Sequence, residues 1–169
     1  MTGVSMSSPK SDLPVQGERI ELGDDSVAWW PCHIGSESVV GKNCSIGALA
    51  HIGGEVVIGD GCRIQGGAYI ADGSIIGARV FIGPNATILN DRYPPSGDAS
   101  LWKPVSICDD AVIGGGSTVV AGVAIGRGAV IAAGATATKD VPDDEVWAGV
   151  PATYLMSRQE YEARRGADE

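Results

Sequence analysis

The sequence predicts an all-β chain wound as a parallel β-helix, and three observations predict it. Aliphatic residues recur at every sixth position, a small residue holds a fixed place between them, and aromatic core formers are scarce. From Leu22 the first series runs through Ala28, Ile34, Val40, Ile46, Ile52, Ile58, Ile64, Ile70, Ile76, Ile82 and Ile88. The second includes Ser26, Cys32, Ser38, Cys44, Ala50, Val56, Cys62, Ala68, Ser74, Val80 and Ala86. With 25 Gly and a single Phe in 169 residues, interlocked aromatics cannot fill the interior. A period of six fits neither a 3.6-residue helix nor plain alternation. It fits short β segments joined by tight corners, each needing a small residue or glycine. Coils stacked about 4.8 Å apart then place aliphatic on aliphatic, and each is stabilised by its neighbours.

In chain order, residues 1–19 contain no apolar signal-peptide core and read as a flexible tail. Residues 20–142 form the helix of coils. The rhythm pauses after Ile88 and returns at Ile107, continuing through Ile113, Val119, Ile125, Ile131 and Ala137. Ile88 to Ile107 is nineteen residues, one more than three hexads, so the beat returns out of phase. The intervening "LNDRYPPSGDASLWKPVS", residues 89–106, has three prolines and no period, and reads as a loop thrown out from the coil. Long irregular loops in regular arrays are usually functional. Residues 143–169 form a proline-bounded cap and a short charged helix.

Twelve basic against 21 acidic side chains leave a formal charge of -9, a field that repels a nucleic-acid backbone. No apolar run approaches the roughly 20 residues of a membrane span. A soluble, cytoplasmic protein is expected.

The repeated unit, the ending "IAAGATATKDVPDDEVWAGVPATYL" and the interrupted "FIGPNATILNDRYPPSG" resemble the hexapeptide-repeat acyltransferases. Within that family the chain is most similar to the N-acetyltransferases of nucleotide-linked amino sugars. The resemblance implies a left-handed coil, a homotrimer, acetyl-CoA as acyl donor in the cleft between subunits, and a loop that closes over it. In the maltose-type O-acetyltransferases a histidine general base precedes a proline early in the loop. Here Tyr93 stands at that place, before Pro94. A tyrosine with a pKa near ~10 is a poor base, whereas an amine acceptor needs orientation more than deprotonation. N-acetylation is therefore favoured over O-acetylation.

The resemblance makes Asn90 and Asp91 the catalytic candidates, one orienting the amine or accepting its proton; turn formation is the other role open to them. His33 and His51 lie eighteen residues apart, and the same step reaches Tyr69 and then Thr87. That ladder and Tyr93 are candidate substrate contacts. Gly115, Gly116, Ala132, Ala133 and Gly134 are corner residues that the resemblance places along the pantetheine arm, with Lys139 for a phosphate. Arg127, Arg158, Arg164 and Arg165 are further phosphate candidates, and Trp102 reads as a packing anchor. Two histidines are too few for the three-histidine zinc site of the γ-carbonic anhydrases, so no metal is expected. Cys32, Cys44 and Cys62 fall in the small interior slot. Three other readings stay open: O-acetylation, transfer of a longer acyl group, and a non-catalytic trimeric scaffold.

Overall fold

A computed structural model describes residues 17–167. Most of the stretch expected as a tail lies outside these, and strand β1 (Glu18–Gly23) begins inside its last two residues. β1 pairs antiparallel with β2 (Ser26–Trp30) and forms the edge of its sheet. Leu22 sits on this edge and is 38% exposed, so the inward series starts at Ala28, not at Leu22. A hairpin strand outside the first coil has no interior to point into.

Sixteen two-residue strands follow, β3 to β18, from His33–Ile34 to Thr136–Ala137. They close with β19 (Glu145–Ala148), β20 (Thr153–Ser157) and helix α1 (Arg158–Ala167). Successive strands turn onto three faces, and each pairs in parallel with the strand one coil away. Outward residues run Val27, Ser45, Arg63, Phe81, Val112, Val130 and Val146 on the first face. On the second they run His33, His51, Tyr69, Thr87, Thr118 and Thr136. The third carries Val39, Val57, Ile75, Ser106 and Ala124. The second residue of each strand points inward, and Ile46, Ile52, Ile58, Ile64, Ile70 and Ile76 are all buried.

The corners explain the glycines. The residue after each inward aliphatic lies against the next coil: a Cβ on Gly47 would sit 2.5 Å from the Gly66 nitrogen. Two residues later the backbone turns left-handed, as at Gly67 (φ 71°), but Glu55, Arg79 and Asn85 adopt it too. At the position between, Asp60 and Asp72 accept hydrogen bonds at 2.8 Å from the N–H groups of Lys42 and Gly54 one coil below. Asp109 does the same for Ala78 across the loop.

Cys44 and Cys62 are buried in the small slot and Cys32 is half-buried. Burial pushes the Cys62 thiol up to about 11, which leaves it protonated and inert. Ser26, also buried, donates to Gly41 O and accepts from Cys44 N.

Stacked partners are 18 residues apart at Tyr69 and Thr87 but 31 apart at Thr87 and Thr118, an insertion of 13. The loop therefore enlarges one corner and replaces no coil. Ile88 and Ile107 are on different faces, which is why counting hexads between them leaves a spare residue. Ser106 already pairs with Ile75, so the loop is residues 89–105. Among the described residues no helix is long and apolar enough to cross a membrane.

Candidate active site

The second face carries the ring ladder that the eighteen-residue spacing implies. His33 stacks on His51 with centroids 4.6 Å apart, and His51 on Tyr69 at 5.0 Å, the planes within 17° and 9° of parallel. Thr87, Thr118 and Thr136 extend the row upward. Along one border of this face lies the corner from which the loop departs, and along the other lie the glycine-rich corners of the last coils.

The loop closes on itself at its base, where Lys103 N donates to Asn90 O. The Asn90 side chain donates weakly to Asp72 O at 3.4 Å, and its amide oxygen has no partner among the described residues. Asp91 is differently placed. Its two carboxylate oxygens accept from Ser96 N at 2.8 Å and Tyr93 N at 3.1 Å, winding the chain into a turn. Those N–H donors, Ser96 first, hold its carboxyl below the ordinary carboxylate range. Trp102 and Pro104 fold back over Ser36, Gly54 and Asp72 of the earlier coils, enclosing about 350 Å³. Trp102 is half-buried there, as a packing anchor would be, whereas Tyr93 is 83% exposed.

On the opposite border, Gly116 and Gly134 have φ near 65° and 69°, with open space where a Cβ would project. The N–H groups of Gly116, Ala132 and Gly134 already donate to neighbouring coils. Lys139 does not join them. It sits on the loop-side border, its ammonium 5.0 Å from the Trp147 ring centroid. Trp147 occupies the inward slot above Ile131, so an indole closes the top of the core.

A cavity of about 760 Å³ was only partly foreseen. Its floor is Phe81, Val112, Val130 and Val146 of the first face, and Gly114, Ala132 and Ala133 form one rim. Leu155, Met156 and α1 form the other, with Arg164 and Arg165 at the helix end. The outward series of the first face turns apolar at Phe81, the signal that was present in the sequence. That α1 lies across it was not. Arg92 and Lys103, which line a smaller loop pocket with Tyr93, were also missed. Among the described residues no group of acidic, histidine and cysteine side chains could hold a metal ion.

The sequence model of the bacterial transferase hexapeptide (six repeats) family matches residues 37–72 and 55–90, and that of the hexapeptide repeat of succinyl-transferase matches 104–139. The chain belongs to the hexapeptide-repeat transferases. Among solved structures, this hexapeptide transferase is similar to PerB from Caulobacter crescentus, in complex with CoA and GDP-perosamine. The identity is 25%, over 78% of this chain and 57% of that one, with a TM-score of 0.68. WeeI from Acinetobacter baumannii is likewise 25% identical over 77% and 57%, at 0.66. The fold is shared with AntD of Bacillus cereus, an N-acyltransferase, at 17% identity over 88% of this chain and 91% of that one, TM-score 0.70. A curated relative, the 2,3,4,5-tetrahydropyridine-2,6-dicarboxylate N-acetyltransferase of Staphylococcus aureus, is 39% identical over 84 residues. That match covers 50% of this chain and spans about a third of the relative, 33% of its length.

Proposed function

We propose that this transferase moves the acetyl group of acetyl-CoA to the amine of a nucleotide-linked amino sugar. The observation that carries the reading is the single enlarged corner, which sets a half-buried Asn90 with an open amide oxygen beside the one face that bears an aromatic ladder. An amide oxygen accepts a hydrogen bond from an amine and can turn its lone pair towards a carbonyl. The neutral amine attacks the thioester carbon, the C–N bond forms, the C–S bond breaks, and the thiolate leaves with the proton that the amine sheds. Asp91, held ionised in its turn, is a weak proton acceptor, so it shapes the loop. The absence of a histidine at Tyr93 supports an amine acceptor, and both the PerB complex and the staphylococcal N-acetyltransferase are in keeping with it.

The 760 Å³ trough fits the donor. Its apolar floor and small rim suit a narrow pantetheine arm, and Arg164 and Arg165 suit phosphates. Trough and loop lie on different borders of one prism, so the complete site combines the loop of one copy with the trough of another, in a trimer.

A second reading, with a tetrahydropyridine dicarboxylate as acceptor, is favoured by the 39% match. The deciding experiment follows thiol release from acetyl-CoA with UDP-, GDP- and dTDP-linked amino sugars beside that dicarboxylate. Turnover with an amino-sugar nucleotide is expected. Turnover with the dicarboxylate alone retires the sugar reading, and turnover only with hydroxyl acceptors retires both.

A further inference from the structure

We infer that Arg92 and Lys103 form a diphosphate subsite in the loop, which grips the nucleotide part of the acceptor; this rests on the nucleotide-linked reading above. A chain with a formal charge of -9 has no general attraction for a diphosphate, so a local pair of cations must supply it. Four of the twelve basic side chains are already engaged. Arg19, Arg79, Arg127 and Arg158 are each ion-paired with a carboxylate. Arg92 and Lys103 are not, among the described residues, and they line one pocket of about 290 Å³ together with Asp91, Tyr93, Ser96 and Leu101.

Both cations are held by the same corner of the next coil. Arg92 Nη1 donates to Ala121 O at 3.1 Å. The Lys103 stem lies against Gly122, whose missing Cβ would meet the Lys103 Cβ at 3.2 Å, and Gly122 N donates to Lys103 O at 2.7 Å. One cation comes from each limb of the loop, so the pair exists only when the base of the loop is closed. A guanidinium offers a planar fork and an ammonium a compact charge, a combination suited to two linked phosphates. Asp91 opposes an anion here, but both of its oxygens are turned onto Ser96 N and Tyr93 N. Tyr93 and Leu101 are exposed on the same pocket and offer apolar surface to a base or ribose.

The test is calorimetric titration of the full chain with UDP, GDP, dTDP, inorganic pyrophosphate and, separately, acetyl-CoA. Wild type is expected to bind at least one nucleoside diphosphate. Arg92→Gln and Lys103→Gln should each weaken that binding at least about tenfold, with acetyl-CoA affinity within twofold and the thermal transition in place. Nucleoside diphosphate binding that is unchanged in both variants overturns the subsite and leaves the nucleotide reading standing. Pyrophosphate binding that needs both residues, without any nucleoside diphosphate binding, keeps the anion subsite and overturns the nucleotide reading. Failure of wild type to bind any of these anions overturns the subsite outright.

Discussion

Asn90 and Asp91 are neighbours that the structure gives different work. Asp91 spends both carboxylate oxygens on backbone N–H groups, whereas Asn90 keeps its amide oxygen open beside the second face. Asn90→Ala is expected to lower kcat by about 10–100-fold through lost orientation. Asp91→Asn should cost less than about tenfold, because an amide still accepts one of the two hydrogen bonds; a loss of ~10³ in kcat would return it to the role of base. The pH dependence separates them further. Asp91 has a folded pKa lowered by Ser96 and Tyr93, so its support of the turn is complete above the ordinary carboxylate range and disappears as pH falls through the lower folded value. Between about pH 5 and 8 it does not titrate. The acid limb of kcat/KM should follow the acceptor amine and remain in Asp91→Asn; a limb that vanishes in the variant contradicts this assignment. Tyr93→Phe keeps the exposed ring and should retain most amine activity.

Loop and coil are separable because they are stabilised differently. The coil rests on stacked isoleucines and coil-to-coil backbone hydrogen bonds, of which only Gly122 N to Lys103 O passes through residues 92–103. Replacing those residues by a short Gly-Ser bridge should move Tm by only a few degrees and abolish turnover, read by differential scanning calorimetry and thiol release. Retained turnover would make the enlarged corner a mere connection. The corners themselves are predicted to respond in opposite ways. Gly47→Ala drives a Cβ to within 2.5 Å of the next coil and should destabilise by about 1–3 kcal/mol. Leu49, two positions on, is exposed with φ 64°. Leu49→Gly relieves roughly 1–2 kcal/mol of left-handed strain against ~0.5–1 kcal/mol of added chain entropy, so it should be neutral or stabilising.

Across the whole prism, the third face presents Val39, Val57 and Ile75 at 58%, 44% and 54% exposure, one above another in adjacent coils. A continuous apolar row of this kind marks an interface, and a trimer would join the loop of one copy to the trough of another. Light scattering at micromolar concentration should give three times the 17.3 kDa chain mass. Val57→Glu should shift it to monomer and remove activity together, while the coil stays folded by circular dichroism. A monomeric wild type with full turnover would contradict the shared site.

The hexad alone was enough for the architecture, because a six-residue period with an inward aliphatic and a small partner admits few other packings. It also made the His33, His51 and Tyr69 row legible, since residues eighteen apart on one face must stack. The hand of winding is not in the hexad and entered through family resemblance. Leu22 shows the other limit: it keeps the beat yet faces solvent, because a period records side-chain type and not whether a coil lies behind it. The loop was visible as a lost rhythm, but its partners were not. Asp91 and Asn90 read alike in a turn-forming dipeptide, and only the folded loop aims one at Ser96 and leaves the other open. Lys139, in sequence a neighbour of the glycine-rich corners, is carried by the coil to the opposite border and onto Trp147. Arg92 and Lys103 lie eleven residues apart with no period to connect them, and the corner at Ala121 and Gly122 brings them together. Such meetings depend on where an irregular chain returns to a regular one, and that is decided by three-dimensional closure.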